Sequence, residues 1–133
     1  MTSAKPIKPF AQTGFSYTLS LISGKYKMTI LYCIAEYDIV RFNEMKRYIG
    51  SVSYKTLSTA LKELERDGLV HREEFPQIPP KVEYSLTEKG ISMIPILDTM
   101  CYWGQDQMRA DLERKATEGP KAEKPIETCP VAS

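Results

Sequence analysis

From residue 15 onward the apolar positions fall into helical spacing, switch to strict alternation, and then return to helical spacing. Leu19, Leu21 and Ile22 within 17–22 predict a short first helix, closed by Ser23-Gly24, because glycine takes the left-handed conformation after a helix end without a Cβ penalty. Tyr26, Ile30, Cys33 and Ile34 recur at helical intervals over 25–36 and predict a second helix. Residues 38–42 are too short for a helix and, with Ile39 and Val40, β-branched enough for a short strand. A third helix is expected from Asn43 to about Tyr48, ended by Gly50. A fourth follows, with Ser53 as its N-cap, Leu57, Ala60, Leu61 and Leu64 as one apolar stripe, and Gly68 as its stop. Two helices around so short a turn make a helix-turn-helix.

The period then changes. Residues 69–75 and 81–87 read as strands, the second with Val82, Tyr84 and Leu86 alternating against Glu83 and Ser85. Between them, Pro76-Gln77-Ile78-Pro79-Pro80 cannot continue a ladder, because proline has no backbone donor, so a stiff wing is expected. Ile91, Ile94, Leu97, Cys101, Met108 and Leu112 then predict one long helix with Thr87 near its cap, in which Pro95 should either introduce a kink or remove one backbone hydrogen bond. Its apolar face runs beyond what a small core can cover, and a second copy of the chain is the simplest cover. Residues 1–14 read as a flexible arm, 15–117 as one domain, and 118–133, with Pro120, Pro125 and Pro130, as a disordered tail. The expected fold class is mainly α with a small β-hairpin (α+β), a winged helix-turn-helix.

Composition adds little to this picture, but charge distribution adds more. The net charge of +1 conceals an asymmetry: residues 1–62 hold nine Lys/Arg against three Asp/Glu, and residues 63–133 nine against fourteen, so +6 faces −5. A basic half suits one polyanion-binding face, since local potential outweighs the total. The N-terminal stretch has no apolar signal region and no run is long enough for a membrane span, so a cytoplasmic protein with no membrane partner is expected. The three cysteines, Cys33, Cys101 and Cys129, form no CxxC pair, and reduced thiols are the default, with Cys33 and Cys101 on buried stripes and Cys129 in the tail. No glycine-rich phosphate loop, paired-carboxylate motif or nucleophile elbow appears, and His71 has no suitably spaced partner, so neither an enzyme nor a cofactor or metal site is expected.

The segments 19–27, 41–45, 53–57, 61–70 and 79–90, together with Trp103, resemble, in order and spacing, successive blocks of the HxlR-type winged helix-turn-helix regulators. The resemblance spans about 15–107. It implies a dimeric, DNA-binding transcription factor joined through its N- and C-terminal helices, with Phe15, Leu19, Ile94, Leu97, Cys101, Trp103 and Met108 as interface candidates. Tyr26 stands where the family usually has Trp, and Ser23 where it has a second Gly. Many members carry a sensing Cys just before the first helix; here Gln12, Thr13, Gly14 and Phe15 fill that stretch, so that sensing device does not carry over.

In such a protein the fourth helix enters the major groove, and Ser53, Tyr54, Lys55, Ser58, Thr59 and Lys62 are the residues that reach base edges. For an arbitrary amphipathic helix these would be a solvated face; the turn, the wing and the basic half favour the reader. Lys25, Lys27, Arg41, Lys46 and Arg47 are candidate phosphate contacts, and Arg72 and Lys81 candidate wing contacts, although Glu73 and Glu74 would have to face elsewhere. Phe15, Tyr17, Tyr26, Tyr32, Tyr102 and Trp103 line either the dimer core or a pocket for a small-molecule effector at the subunit boundary. The function expected is a sequence-specific transcriptional regulator, a homodimer on double-stranded DNA with a pseudo-palindromic operator. The alternative is a winged-helix protein-interaction module that binds no DNA.

Overall fold

The computed structural model describes residues 5–118. After a 3-10 turn at Phe10–Gln12, the chain forms α1 (Gly14–Ile22), α2 (Lys27–Tyr37), α3 (Phe42–Ile49) and α4 (Tyr54–Arg66). A hairpin of β1 (Val70–Phe75) and β2 (Lys81–Leu86) follows, then the one-turn α5 (Glu88–Ile91) and the long α6 (Ile94–Glu118). The fold is thus mostly helical with a two-stranded antiparallel wing, as the pattern predicts.

Short polar side chains set the helix starts. Thr13 caps α1 by accepting from the Ser16 amide, and Ser53 caps α4 by accepting from the Thr56 amide at 3.1 Å. At α3 the exchange is reversed: the Arg41 amide donates to the Glu44 carboxylate at 2.8 Å. Gly50 ends α3 at φ 85°, a conformation that only glycine adopts cheaply, and so turns the chain toward α4.

The core is built around α2. Ile30, Leu31 and Ile34 are fully buried against Met45 of α3, Leu57, Leu61 and Leu64 of α4, and Leu69 and Val70 at the hairpin base. Leu57, Leu61 and Leu64 repeat at intervals of four and three, so α4 buries one stripe and leaves its opposite face to solvent.

Three elements differ from their expected form. Val40 contributes only a single bridge, exchanging both backbone hydrogen bonds with Tyr84 at 3.0 and 2.9 Å, so 38–42 is no strand but does pin the hairpin to the α2–α3 turn. The second helix starts at Lys27, not Lys25. The expected single long helix is two: Thr87 caps α5, the chain turns at Ser92 and Met93, and α6 begins at Ile94. Pro95 explains the break. Its missing N–H costs nothing in the first turn of a helix, so it starts α6 and does not kink it. The expected tail from 119 on lies outside the described residues.

Candidate nucleic-acid interface

The outward face of α4 carries the expected residues. Ser53, Tyr54, Lys55, Thr59 and Lys62 are exposed and Ser58 is half-buried. Tyr54 is 69 % exposed, yet its ring is braced by Phe42, centroids 4.7 Å apart and planes tilted 48°, so an aromatic side chain on the first turn is held in place.

Hollows flank α4 on both sides. On one side the loop between α1 and α2 brings Lys25 beside Lys55 and Thr59 around a space of about 470 Å³. That loop is tied down by Tyr26, whose hydroxyl donates to the Ser51 carbonyl in the α3–α4 turn at 2.9 Å. On the other side Tyr54, Ser58 and Lys62 face Arg72 and Tyr84 of the wing across about 420 Å³. A third hollow, about 570 Å³, lies between the start of α3 and the wing tip, with Arg41, Arg47, Gln77 and Lys81 on its walls.

Pairing divides the cations assigned to DNA. Lys27 is not available to phosphate: it is 6 % exposed and its Nζ sits 2.7 Å from Glu63, joining α2 to α4. The sequence places Lys27 among polar residues at a helix start, but gives no sign that the loop turns it inward. Hydrogen bonding by Lys27, then its charge, holds the Glu63 carboxyl below the usual glutamate range. In the wing Arg72 pairs with Glu74 at 3.0 Å, and Lys81 lies 3.6 Å from Glu83 and over the Phe75 ring at 4.4 Å. Glu74 therefore does not face away from Arg72; it neutralises it, and raises its pKa together with Tyr84. His71 lies beside Glu73 on the exposed strand at 3.4 Å. By contrast, among the described residues Lys25, Arg41, Lys46, Arg47, Lys55 and Lys62 have no carboxylate partner.

The interface candidates on the terminal helices are also divided. Phe15, Trp103 and Met108 are exposed, and Leu19 and Ile94 half-buried. Leu97 is 4 % exposed, packed into the chain's own core, and so is not free to meet a partner. Ile96, Met100 and Trp103, at intervals of four and three, form the exposed apolar stripe. The apolar stripe that the sequence predicts runs through Leu97, which is the inward face. Cys33 is buried and free, but Cys101 departs from the reduced default: it is half-buried and disulfide-bonded. Among the described residues no group of three or more His, Cys, Asp or Glu is placed to hold a metal, and no helix is long and apolar enough to cross a membrane.

A helix with a polar outer face, carried on a second helix through a short turn and flanked by a two-stranded wing, defines the winged helix-turn-helix proteins. The chain belongs to the HxlR-like helix-turn-helix family, whose model matches residues 21–112. It is 59% identical over 98 residues to the uncharacterized HTH-type transcriptional regulator BH0655 of Halalkalibacterium halodurans, covering 74% of this chain and 87% of that one. It is 50% identical over 96 residues to YdzF of Bacillus subtilis, also an uncharacterized HTH-type transcriptional regulator, covering 72% and 88%. Among solved structures, the redox regulator HypR in its oxidized form superposes with a TM-score of 0.67 at 44% identity, covering 71% of this chain and 96% of that one. The class of function is therefore transcription regulation through a DNA-binding winged helix-turn-helix.

Proposed function

We propose that this protein is a sequence-specific regulator that binds a pseudo-palindromic operator as a homodimer, with α4 in the major groove. The observation that carries this reading is the placement of the cations that have no carboxylate partner among the described residues: Lys25, Arg41, Arg47, Lys55 and Lys62 surround the polar face of α4 or the cleft beside it, while the wing's Arg72 and Lys81 each have one. Ser53, Tyr54, Lys55, Ser58, Thr59 and Lys62 read bases, and Lys25, Arg41, Lys46 and Arg47 hold phosphates, so Lys27 leaves the contact set. Arg72 and Lys81 make weaker wing contacts because each already has a carboxylate.

The dimer forms through Phe15, Trp103 and Met108, joined by Ile96 and Met100 in place of Leu97. Leu19, Ile94 and Cys101 border that face. At a rise of 1.5 Å per residue α6 is roughly 37 Å long, and beyond Gln105 it buries none of its described residues in the chain's own core. An effector at the subunit boundary has a place in the hollow of about 310 Å³ between α2 and α6, which Tyr32, Leu97 and Met100 line.

Selection of bound genomic fragments, followed by titration at several salt concentrations, tests the reading. Duplexes with two-fold symmetric half-sites about one helical turn apart, or a multiple of it, are expected. Absence of duplex binding even at low salt would favour the protein-interaction module instead.

A further inference from the structure

A fifth hollow, of about 470 Å³, lies between the C-terminal end of α2 and α3, away from both the α4 face and the α2–α6 groove. Its walls are the rings of Tyr37 and Tyr48, set edge to face with centroids 6.0 Å apart, and the side chains of Ile39 and Val40; Cys33 forms its floor. Tyr37 and Ile39 are 57% and 53% exposed, an unusual amount of apolar surface for a turn between two packed helices.

One carboxylate and one guanidinium, Glu44 and Arg47, line it, and a second carboxylate, Glu36, stands behind Tyr48. Glu44 lines the hollow, its carboxylate held by the Arg41 amide at 2.8 Å, and Glu36 accepts from the Tyr48 hydroxyl at 3.2 Å. Among the described residues Arg47 is the cation on the lining; it and Glu44 both reach the cleft beside the wing, but Glu44 and Glu36 are each held by a hydrogen bond whereas Arg47 has no carboxylate partner to hold it. Burial first, and then the charges of Glu36 and Glu44, push the Cys33 thiol up to about 11. Tyr48 is also raised, by burial and then by Glu36.

We infer that this hollow is a binding site for a small organic cation, an aryl or alkyl ammonium whose charge lies against the Tyr37 and Tyr48 rings and the Glu44 carboxylate. Aromatic walls beside fixed carboxylates are what a poorly hydrated cation needs, since the ring faces replace its loose water shell and the carboxylate supplies the opposite charge. An aromatic acid fits the walls equally well but meets Glu44 and Glu36, and its only cationic partner is the side chain best able to swing away.

Isothermal titration of the full chain, without DNA, tests this, so its outcome is independent of whether α4 reads bases. The probes are benzyltrimethylammonium, benzyl alcohol and benzoate. Saturable binding of the cation at one per chain is expected, with the alcohol weaker and benzoate not bound. Glu44→Gln keeps an acceptor for the Arg41 amide but removes the charge, and should weaken binding about fivefold; Tyr37→Leu should do the same, and Arg47→Leu should tighten it. Thermal melts of each variant confirm that the fold is intact. No saturable binding of the cation, binding of benzoate in its place, or an affinity unchanged by Glu44→Gln would overturn the assignment.

Discussion

At the scale of single residues, the sharpest constraint is Gly90. A Cβ built there would lie 2.2 Å from the Leu69 carbonyl oxygen, which belongs to backbone and cannot step aside. Gly90→Ala is expected to lower stability by at least about 3 kcal/mol in denaturant titrations. Gly104→Ala, where a Cβ meets nothing within 4 Å inside a helix, is expected to raise it by about 0.5–1 kcal/mol. Lys27 and Glu63 make an asymmetric pair. Removing Glu63 strands a buried ammonium, whereas removing Lys27 leaves a carboxylate that water still reaches, its side chain being 37% exposed. The melting temperature of Glu63→Ala should therefore fall below that of Lys27→Met. The sign of the pH dependence follows from the lowered Glu63 pKa: its contribution is present above the ordinary glutamate range and lost as pH falls through the folded value. Glu63→Gln should flatten the acid limb of a stability profile. Cys33, held as a thiol by burial and two carboxylates, should label with iodoacetamide about two orders of magnitude more slowly than an exposed cysteine until the chain unfolds.

Among elements, the proposed function has α4 supply specificity and its neighbours affinity. Lys55 stands on the first turn of α4, so Lys55→Ala is expected to cost about 1–3 kcal/mol on a cognate site and less on random DNA, relaxing one base position. Lys25, on the loop beside it, faces the same hollow from outside the helix. Lys25→Ala should weaken cognate and random DNA alike and reduce the salt slope by about one. Equal behaviour of the two variants on both DNAs would remove α4 from the role of reader. Phe42 belongs to the same argument because it braces Tyr54 from α3, a contact between residues twelve apart that neither helix's periodicity announces.

For the whole molecule, the question is what covers α6. Its outward stripe of Ile96, Met100 and Trp103, with Phe15 of α1 also exposed, predicts a homodimer at micromolar concentration in sedimentation. Trp103→Glu should shift the protein toward a 15.2 kDa monomer with an intact melt. Leu97→Ala instead removes a core side chain, and should cost about 2–5 kcal/mol of stability before it changes assembly.

The sequence by itself determined the helix-turn-helix, the hairpin that follows it and the polar face of α4. All of these follow from local rules: Leu57, Leu61 and Leu64 repeat with the helix, Val82, Tyr84 and Leu86 with the strand, and Ser53 and Gly50 mark their boundaries by their own chemistry. Only the tertiary structure decided which charges are free and which stripe of α6 is inside. Lys27 and Glu63 are thirty-six residues apart, and their meeting depends on how α2 crosses α4. Leu97 and Met100 both fit helical spacing in the sequence; the position of α2 makes the first core and the second surface. Pro95 likewise has one local effect, the loss of a donor, and whether that kinks a helix or begins one depended on where the turn at Ser92 and Met93 was placed by the packing of Gly90 against Leu69.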